Sequence, residues 1–234
     1  MCGRFTATRQ PSLLAEQFRA TPVAVEGHQP SWNVVPTSDI LVVVAGPDGA
    51  RQLRELRWGL VPKWAKDASA RNNIINLRAE TVVDKPSWKG ALARRRCIIP
   101  VDSFYEWQDQ GKGRKKQPFA IAARDGQPLA LAGLWADWRD PDSGEVLWSC
   151  TILTTSANQL MHSVHHRMPV ILPPEAWDAW LDPGNHDVER LAELLQPAPE
   201  ELLAIWPVDP AVSNPRNNRP DLLQPLEGHE PRTA

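Results

Sequence analysis

The sequence predicts an α+β fold: one domain built on an antiparallel, partly closed, barrel-like β-sheet with short peripheral helices. Three observations lead there. Apolar runs of strand length recur along the 234 residues and outnumber segments with helical spacing. Turn chemistry separates them, most plainly at Gly46-Pro47-Asp48-Gly49. No linker or internal repeat divides the chain, and its length suffices to bury a core in one unit. Residues 1–226 are therefore assigned to a single domain and 227–234 to a disordered tail.

In order, Ser12 to Phe18 is a short helix with Ser12 as N-cap and Leu13, Leu14 and Phe18 apolar. Asp39–Ala45 (DILVVVA) is a buried strand, closed by the Gly-Pro-Asp-Gly turn and answered by Gln52–Trp58 as the return arm of a hairpin. Residues 59–64 leave it as a loop, because Pro62 cannot donate to a ladder. Ser87–Ala93 is helical. Strands follow at Cys97–Val101, Phe104–Gln108, Phe119–Ala123, Leu129–Trp138, Val146–Thr155 and Met168–Leu172, with Gln110–Lys116 as a polar, basic hairpin tip. Pro173–Leu181 and Val188–Leu195 read as helices, the first opened by proline. Beyond Pro207 the chain is Pro/Asn-rich and expected to be extended.

Composition narrows the function classes. Apolar content is 42 %, and no run approaches the ~20 residues of a membrane span. No secretory leader is read. The three cysteines, Cys2, Cys97 and Cys150, form neither a metal pattern nor a disulfide framework, which fits a reduced, cytoplasmic protein. Eleven tryptophans accompany one tyrosine and four phenylalanines, enough for base stacking as well as core filling. Charge is uneven: residues 1–172 hold 22 basic and 16 acidic side chains, whereas the chain from Pro173 holds 4 and 12. The basic part leaves room for an anion-binding face.

Four stretches could carry chemistry. The first is Met1-Cys2-Gly3-Arg4, where a small second residue favours removal of Met1. A terminal cysteine offers an amine and a thiol on adjacent carbons. The α-amine has a pKa of roughly 7.7–8.0 against about 10.4 for lysine, so it is far more nucleophilic near neutrality. It attacks an aldehyde to give an imine, and the thiol then closes a five-membered thiazolidine with most of the entropy prepaid. The plain alternative is an incidental residue on a frayed terminus.

The second stretch is Asn76-Leu77-Arg78-Ala79-Glu80, where Asn76, Arg78 and Glu80 share a face if the backbone is extended, or else precede a helix as a capping loop. The third is Phe104-Tyr105-Glu106-Trp107. A carboxyl among aromatics in a buried strand is costly unless paired or protonated, and such surroundings suit proton transfer as well as an ion pair with arginine. The fourth is His162-Ser163-Val164-His165-His166-Arg167-Met168-Pro169. No second ligand cluster with zinc-like spacing accompanies it, so histidine as a proton carrier is preferred over a metal site, and no cofactor is expected.

Nine motifs now stand in one order: MCGRF (Met1–Phe5), WNVVPT (Trp32–Thr37), RWGLVPKWAKD (Arg57–Asp67), NLRAET (Asn76–Thr81), RCIIPVDSFYEW (Arg96–Trp107), AGLW (Ala132–Trp135), TTSAN (Thr154–Asn158), HHRMPVIL (His165–Leu172) and SNPRNNRPDL (Ser213–Leu222). Together they make the chain resemble the SRAP (SOS-response-associated peptidase) family of abasic-site processing proteins. The resemblance implies that Cys2, freed of Met1, crosslinks to the ring-opened aldehyde of an abasic site in single-stranded DNA. It implies that Asn76 holds the α-amine, that Glu106 is the general acid/base, and that His165 protonates the sugar oxygen as the ring opens. Arg4, Arg78 and Arg167 are implied to hold phosphates, Trp64 and Pro36 to stack on or wedge beside the bases, and Asn33 and Thr154 to join the DNA-contacting set. Leu77 and Ser103 stand where the family usually has alanine and glycine; His166 replaces a frequent aspartate and is given no role.

The readings that follow are a DNA-damage enzyme with lyase-type strand cleavage as a side activity, a cysteine peptidase using Cys2 and His165, and a non-catalytic single-strand binding module. The expected partners are single-stranded DNA with abasic sites and replication-fork proteins, with a monomer as the default and no membrane association.

Overall fold

The computed structural model describes residues 2–25, 27–69 and 73–233. In chain order its elements are β1 (Arg4–Ala7), α1 (Pro11–Phe18), β2 (Thr21–Pro22), β3 (Ser31–Val34), β4 (Asp39–Ala45), β5 (Arg51–Trp58), β6 (Asn76–Arg78), α2 (Ala79–Asp84), α3 (Pro86–Arg94), β7 (Arg96–Val101), β8 (Ser103–Gln108), β9 (Gln117–Ala123), β10 (Leu129–Arg139), β11 (Val146–Ser156), α4 (Gln159–His162), β12 (Arg167–Pro169), α5 (Trp177–Leu181), α6 (Val188–Glu193) and β13 (Leu203–Pro207).

Two sheets organise them. One runs β13-β9-β8-β1-β3 and the other β12-β11-β10-β7-β4-β5-β2. In the second sheet β5 also pairs with β11, in parallel, through Arg57 with Ser149 and Trp58 with Cys150. That pairing closes β4, β5, β7, β10 and β11 into a five-stranded mixed barrel. The α+β expectation with a barrel-like sheet therefore holds.

Strand alternation divides the core. On β4, Ile40, Val42 and Val44 join one cluster and Leu41 and Val43 the other; on β7 the split is Cys97, Ile99 and Val101 against Ile98. The first cluster unites one face of the barrel with Phe5, Phe104, Ile121 and Ile205 of the five-stranded sheet. The second packs the opposite face against Leu14 and Phe18 of α1, Leu92 of α3 and Trp180 and Leu181 of α5. Because both faces are covered, β4 reads as a continuous apolar run, as buried strands do.

Gly133 sits where the barrel is tightest. A Cβ there would lie 2.8 Å from Cys97 Sγ, 2.8 Å from the Thr151 carbonyl oxygen and 3.0 Å from Ile99 Cδ1. Backbone on one side and packed core on the other leave little room to yield. Gly133→Ala is expected to cost about 1–3 kcal/mol, the usual range for overpacking. The measurement is urea unfolding, read as a lower midpoint at unchanged slope.

Several local expectations need correction. The first helix begins at Pro11, with Gln10 in the cap position and no side-chain cap bond. Proline takes the first turn without loss, since the amide it lacks has no helical partner there, and Ser12 is drawn inside. Glu80 does not continue the strand of Asn76 and Arg78; the chain turns helical at Ala79, and an acidic residue in the first turn favours that. The helix expected over 173–181 is a 3-10 turn, Pro174–Ala176, leading into α5. The segment expected to be extended after Pro207 forms 3-10 turns at Pro210–Ser213 and Pro220–Leu223, because Val212 and Leu222 are fully buried against the five-stranded sheet. Arg232, within the stretch expected to be a disordered tail, exchanges backbone hydrogen bonds with Ile205 of β13 at 2.9 and 2.8 Å.

Candidate active site

Register brings the N-terminus to the FYEW strand. β1 runs antiparallel to β8 with Arg4 opposite Tyr105 and Phe5 opposite Phe104. Two residues further back, the same register carries Cys2 alongside Glu106 and Trp107. β6 lies parallel to β11 with Asn76 beside Ile152. From there the Asn76 amide donates to the Cys2 carbonyl at 2.7 Å across 74 residues of sequence.

The histidine arrives on a braced loop. Asn158 caps α4 by accepting from the Met161 amide at 2.9 Å and anchors outward to the Ala198 carbonyl at 2.9 Å. The His165 amide then donates to the Met161 carbonyl. His165 Nδ1 lies 3.0 Å from the Arg167 amide nitrogen and 3.1 Å from the Arg167 carbonyl oxygen, so either ring tautomer finds its partner on that residue. The His165 and His166 rings stack at 4.4 Å. Gln108 donates to the Ser163 carbonyl at 2.6 Å, tying the end of β8 to this loop.

Electrostatics link the same groups. Burial pushes the Cys2 thiol well above its ordinary range, and the Glu106 carboxylate adds in the same direction. Burial lowers the His165 imidazole, while Glu106 acts against that shift. Glu106, itself 3 % exposed, is thus felt at both the sulfur and the ring. Cys2 is fully buried. Its thiol makes only a weak 3.9 Å contact to the Arg4 carbonyl. The sequence in which this holds still carries Met1, before any release of the Cys2 amine. Cys2, Asn76, Glu106 and His165 therefore meet in one place.

The residues singled out for DNA contact differ in exposure, and some of them touch: Arg78 pairs with Thr154, Arg167 bonds to Thr154, and Arg4 bonds to Asn33. Trp64 (74 % exposed) and Arg78 face solvent, and Pro36 is half-buried beside Thr37, whose φ is 76°. Arg4 is half-buried and donates to Asn33 Oδ1 at 2.9 Å and the Val212 carbonyl at 3.0 Å. Buried Asn33 spends its amide on the carbonyls of Val212, Asn214 and Asn217 at 3.1, 3.2 and 2.8 Å. Thr154 is fully buried, and among the described residues its hydroxyl finds no hydrogen-bond partner. Arg167 is buried and forks onto Glu80 at 2.6 and 2.9 Å, with a further bond to the Thr154 carbonyl at 2.6 Å. That fork holds the Glu80 carboxyl below its usual range.

Sequence reasoning missed the wall made by the C-terminal segment. Trp107 Nε1 donates to Ser213 Oγ at 2.9 Å, and Asn218 accepts from the Trp32 amide at 2.7 Å. The motif SNPRNNRPDL at 213–222 marked this stretch, but nothing in it assigned the stretch a place beside the site. Among the described residues no group of three or more His, Cys, Asp or Glu is arranged to hold a metal. Among them, too, no helix is long and apolar enough to cross a membrane.

Comparison with known proteins follows the same outline. The family model described as SOS response associated peptidase (SRAP) matches residues 1–215. The chain is 42 % identical over 226 residues to abasic site processing protein YoqW of Bacillus subtilis (strain 168), covering 96 % of this chain and 99 % of that one. Abasic site processing protein HMCES of Gallus gallus is 34 % identical over 230 residues, which cover 86 % of this chain and 67 % of the relative. A crystal structure of a protein from Bacteroides thetaiotaomicron superposes with a TM-score of 0.85 at 24 % identity, covering 96 % of this chain and all of that one. This last likeness concerns the fold alone.

Proposed function

The chain belongs to the SRAP family, and from that premise we propose that it processes abasic sites in single-stranded DNA by capturing the lesion's aldehyde on Cys2. The observation that carries this reading is the meeting of four groups: Asn76 on the Cys2 carbonyl, and Glu106 acting on both the Cys2 thiol and the His165 ring. The names of the relatives supply the substrate class.

Removal of Met1 frees the amine of Cys2. His165 protonates the sugar oxygen as the ring opens, exposing the aldehyde. The amine adds to the aldehyde carbon, and the resulting carbinolamine loses its hydroxyl as water once Glu106 has given it a proton. The imine carbon then accepts the thiol sulfur, the thiol proton passes to the nitrogen, and the thiazolidine ring closes. One water leaves for each crosslink formed. In this order the amine attacks first, and the sulfur closes the ring intramolecularly onto the imine carbon. At the imine stage the neighbouring C–H is acidified, so strand cleavage by elimination accompanies the reaction as a side activity.

A cysteine peptidase acting on other proteins requires a thiolate, and the two largest influences on Cys2, burial and the Glu106 charge, oppose one. Turnover of a peptide substrate in trans is accordingly expected to be absent. The direct test mixes protein lacking Met1 with a single-stranded abasic oligonucleotide. A denaturant-stable adduct is expected, and it should disappear when the aldehyde is first reduced to an alcohol. Binding without an adduct would leave only the non-catalytic binding module standing.

A further inference from the structure

The tip of the β8–β9 hairpin takes no part in the chemistry above, yet it is the most charged short stretch of the chain's first three-quarters. Residues 109–116 read Asp-Gln-Gly-Lys-Gly-Arg-Lys-Lys. The four cations Lys112, Arg114, Lys115 and Lys116 are all exposed. The single carboxylate, Asp109, accepts from the Gly111 amide at 2.8 Å and so serves the turn. Among the described residues no acidic side chain forms an ion pair with any of the four. Among the described residues the turns of the β4–β5 and β10–β11 hairpins have the opposite character: Gly46–Ala50 and Asp140–Glu145 are net negative. Crowding four like charges onto one tip is unfavourable unless something anionic is nearby.

The tip is also held in position. β8 carries Glu106 two residues before its end at Gln108. Gln108 is fastened to the loop of His165 through the Ser163 carbonyl at 2.6 Å, and across the hairpin Gln117 donates to the Val208 carbonyl at 2.8 Å. At about 3.3 Å per residue, the tip charges lie roughly 10–20 Å from Glu106. Gly111 and Gly113 have φ of 91° and 83°, and a Cβ at either would meet nothing within 4 Å, so the surface is open to a close-lying strand.

We propose that this tip grips the phosphates of single-stranded DNA flanking the lesion, outside the reaction centre. The proposal rests on the DNA substrate argued above. It adds a contact that fixes the strand's path and the length of DNA engaged, with Lys and Arg acting as sequence-independent phosphate partners.

The test replaces Lys112, Arg114, Lys115 and Lys116 together by glutamine and measures binding of single-stranded abasic oligonucleotides over a range of salt concentrations. For single strands each phosphate contact contributes about 0.7 to the slope of log affinity against log salt. Loss of two to four contacts should therefore flatten the slope by about 1.5–3. Extending the oligonucleotide on its 5′ or its 3′ side shows which flank the tip holds: the loss should grow with extension on one side only. The charge-preserving variant with Lys112, Lys115 and Lys116 changed to arginine should keep the wild-type slope. An unchanged slope and affinity in the glutamine variant, on every oligonucleotide, overturns the grip. Failure of the wild type to form an adduct while the slopes still differ would instead remove the capture chemistry and leave the grip in place.

Discussion

Cys2→Ser, freed of Met1, is expected to lose the denaturant-stable adduct by at least ~100-fold while still yielding an imine that borohydride traps. The variant keeps the terminal amine, so the first attack survives. What it lacks is a sulfur able to close the ring. The ring closure of the native residue is intramolecular, and effective molarities for such steps are very large. A serine hydroxyl is much the weaker nucleophile, and the imine it leaves open returns to aldehyde in water. Two measurements settle the matter: adduct remaining after denaturation, and adduct trapped by reduction during the reaction. A serine variant whose unreduced adduct is as durable as the native one would rule out the thiazolidine.

Glu106→Gln is the second large effect. General acid–base assistance contributes about 10²–10⁴ in rate, so imine formation should slow by that range while DNA affinity stays near the native value. A second consequence concerns pH. The Glu106 charge raises the affinity of His165 for its proton, against the lowering caused by burial. With glutamine in place, that support is gone and the imidazole releases its proton at lower pH. The limb of the pH–rate profile that reports protonated His165 should therefore move toward acid. Equal losses of rate and of affinity, with no movement of the limb, would make Glu106 a structural residue.

How far residues announce their structure differs from strand to strand. β4 and β5 are legible because the run after Asp39, ILVVVA, is apolar and a Gly-Pro-Asp-Gly turn closes it. β1 and β3, RFTA and SWNV, are four residues each with no clear alternation, and their extended state follows from pairing with each other and of β1 with β8. β13 escaped notice as LAIWP, yet all five of its residues are buried by pairing with β9. At the site, Glu106 could be singled out from its aromatic neighbours alone. The roles expected of Arg4 and Asn33 looked outward to DNA. The carbonyls that take up their side chains lie about two hundred residues later, on a turn whose position no local pattern reveals.

The sequence by itself determined the cysteine at position 2, the order of motifs and the strand-rich α+β class. Those are properties of single residues and short spacings. Tertiary structure alone decided that Asn76 would reach the Cys2 carbonyl, that one carboxylate would act on both sulfur and imidazole, and that Arg167 would be forked onto Glu80. Each of these joins groups far apart in the chain. Such partners are chosen by register between paired strands and by the packing of two sheets, and neither is encoded in any one stretch.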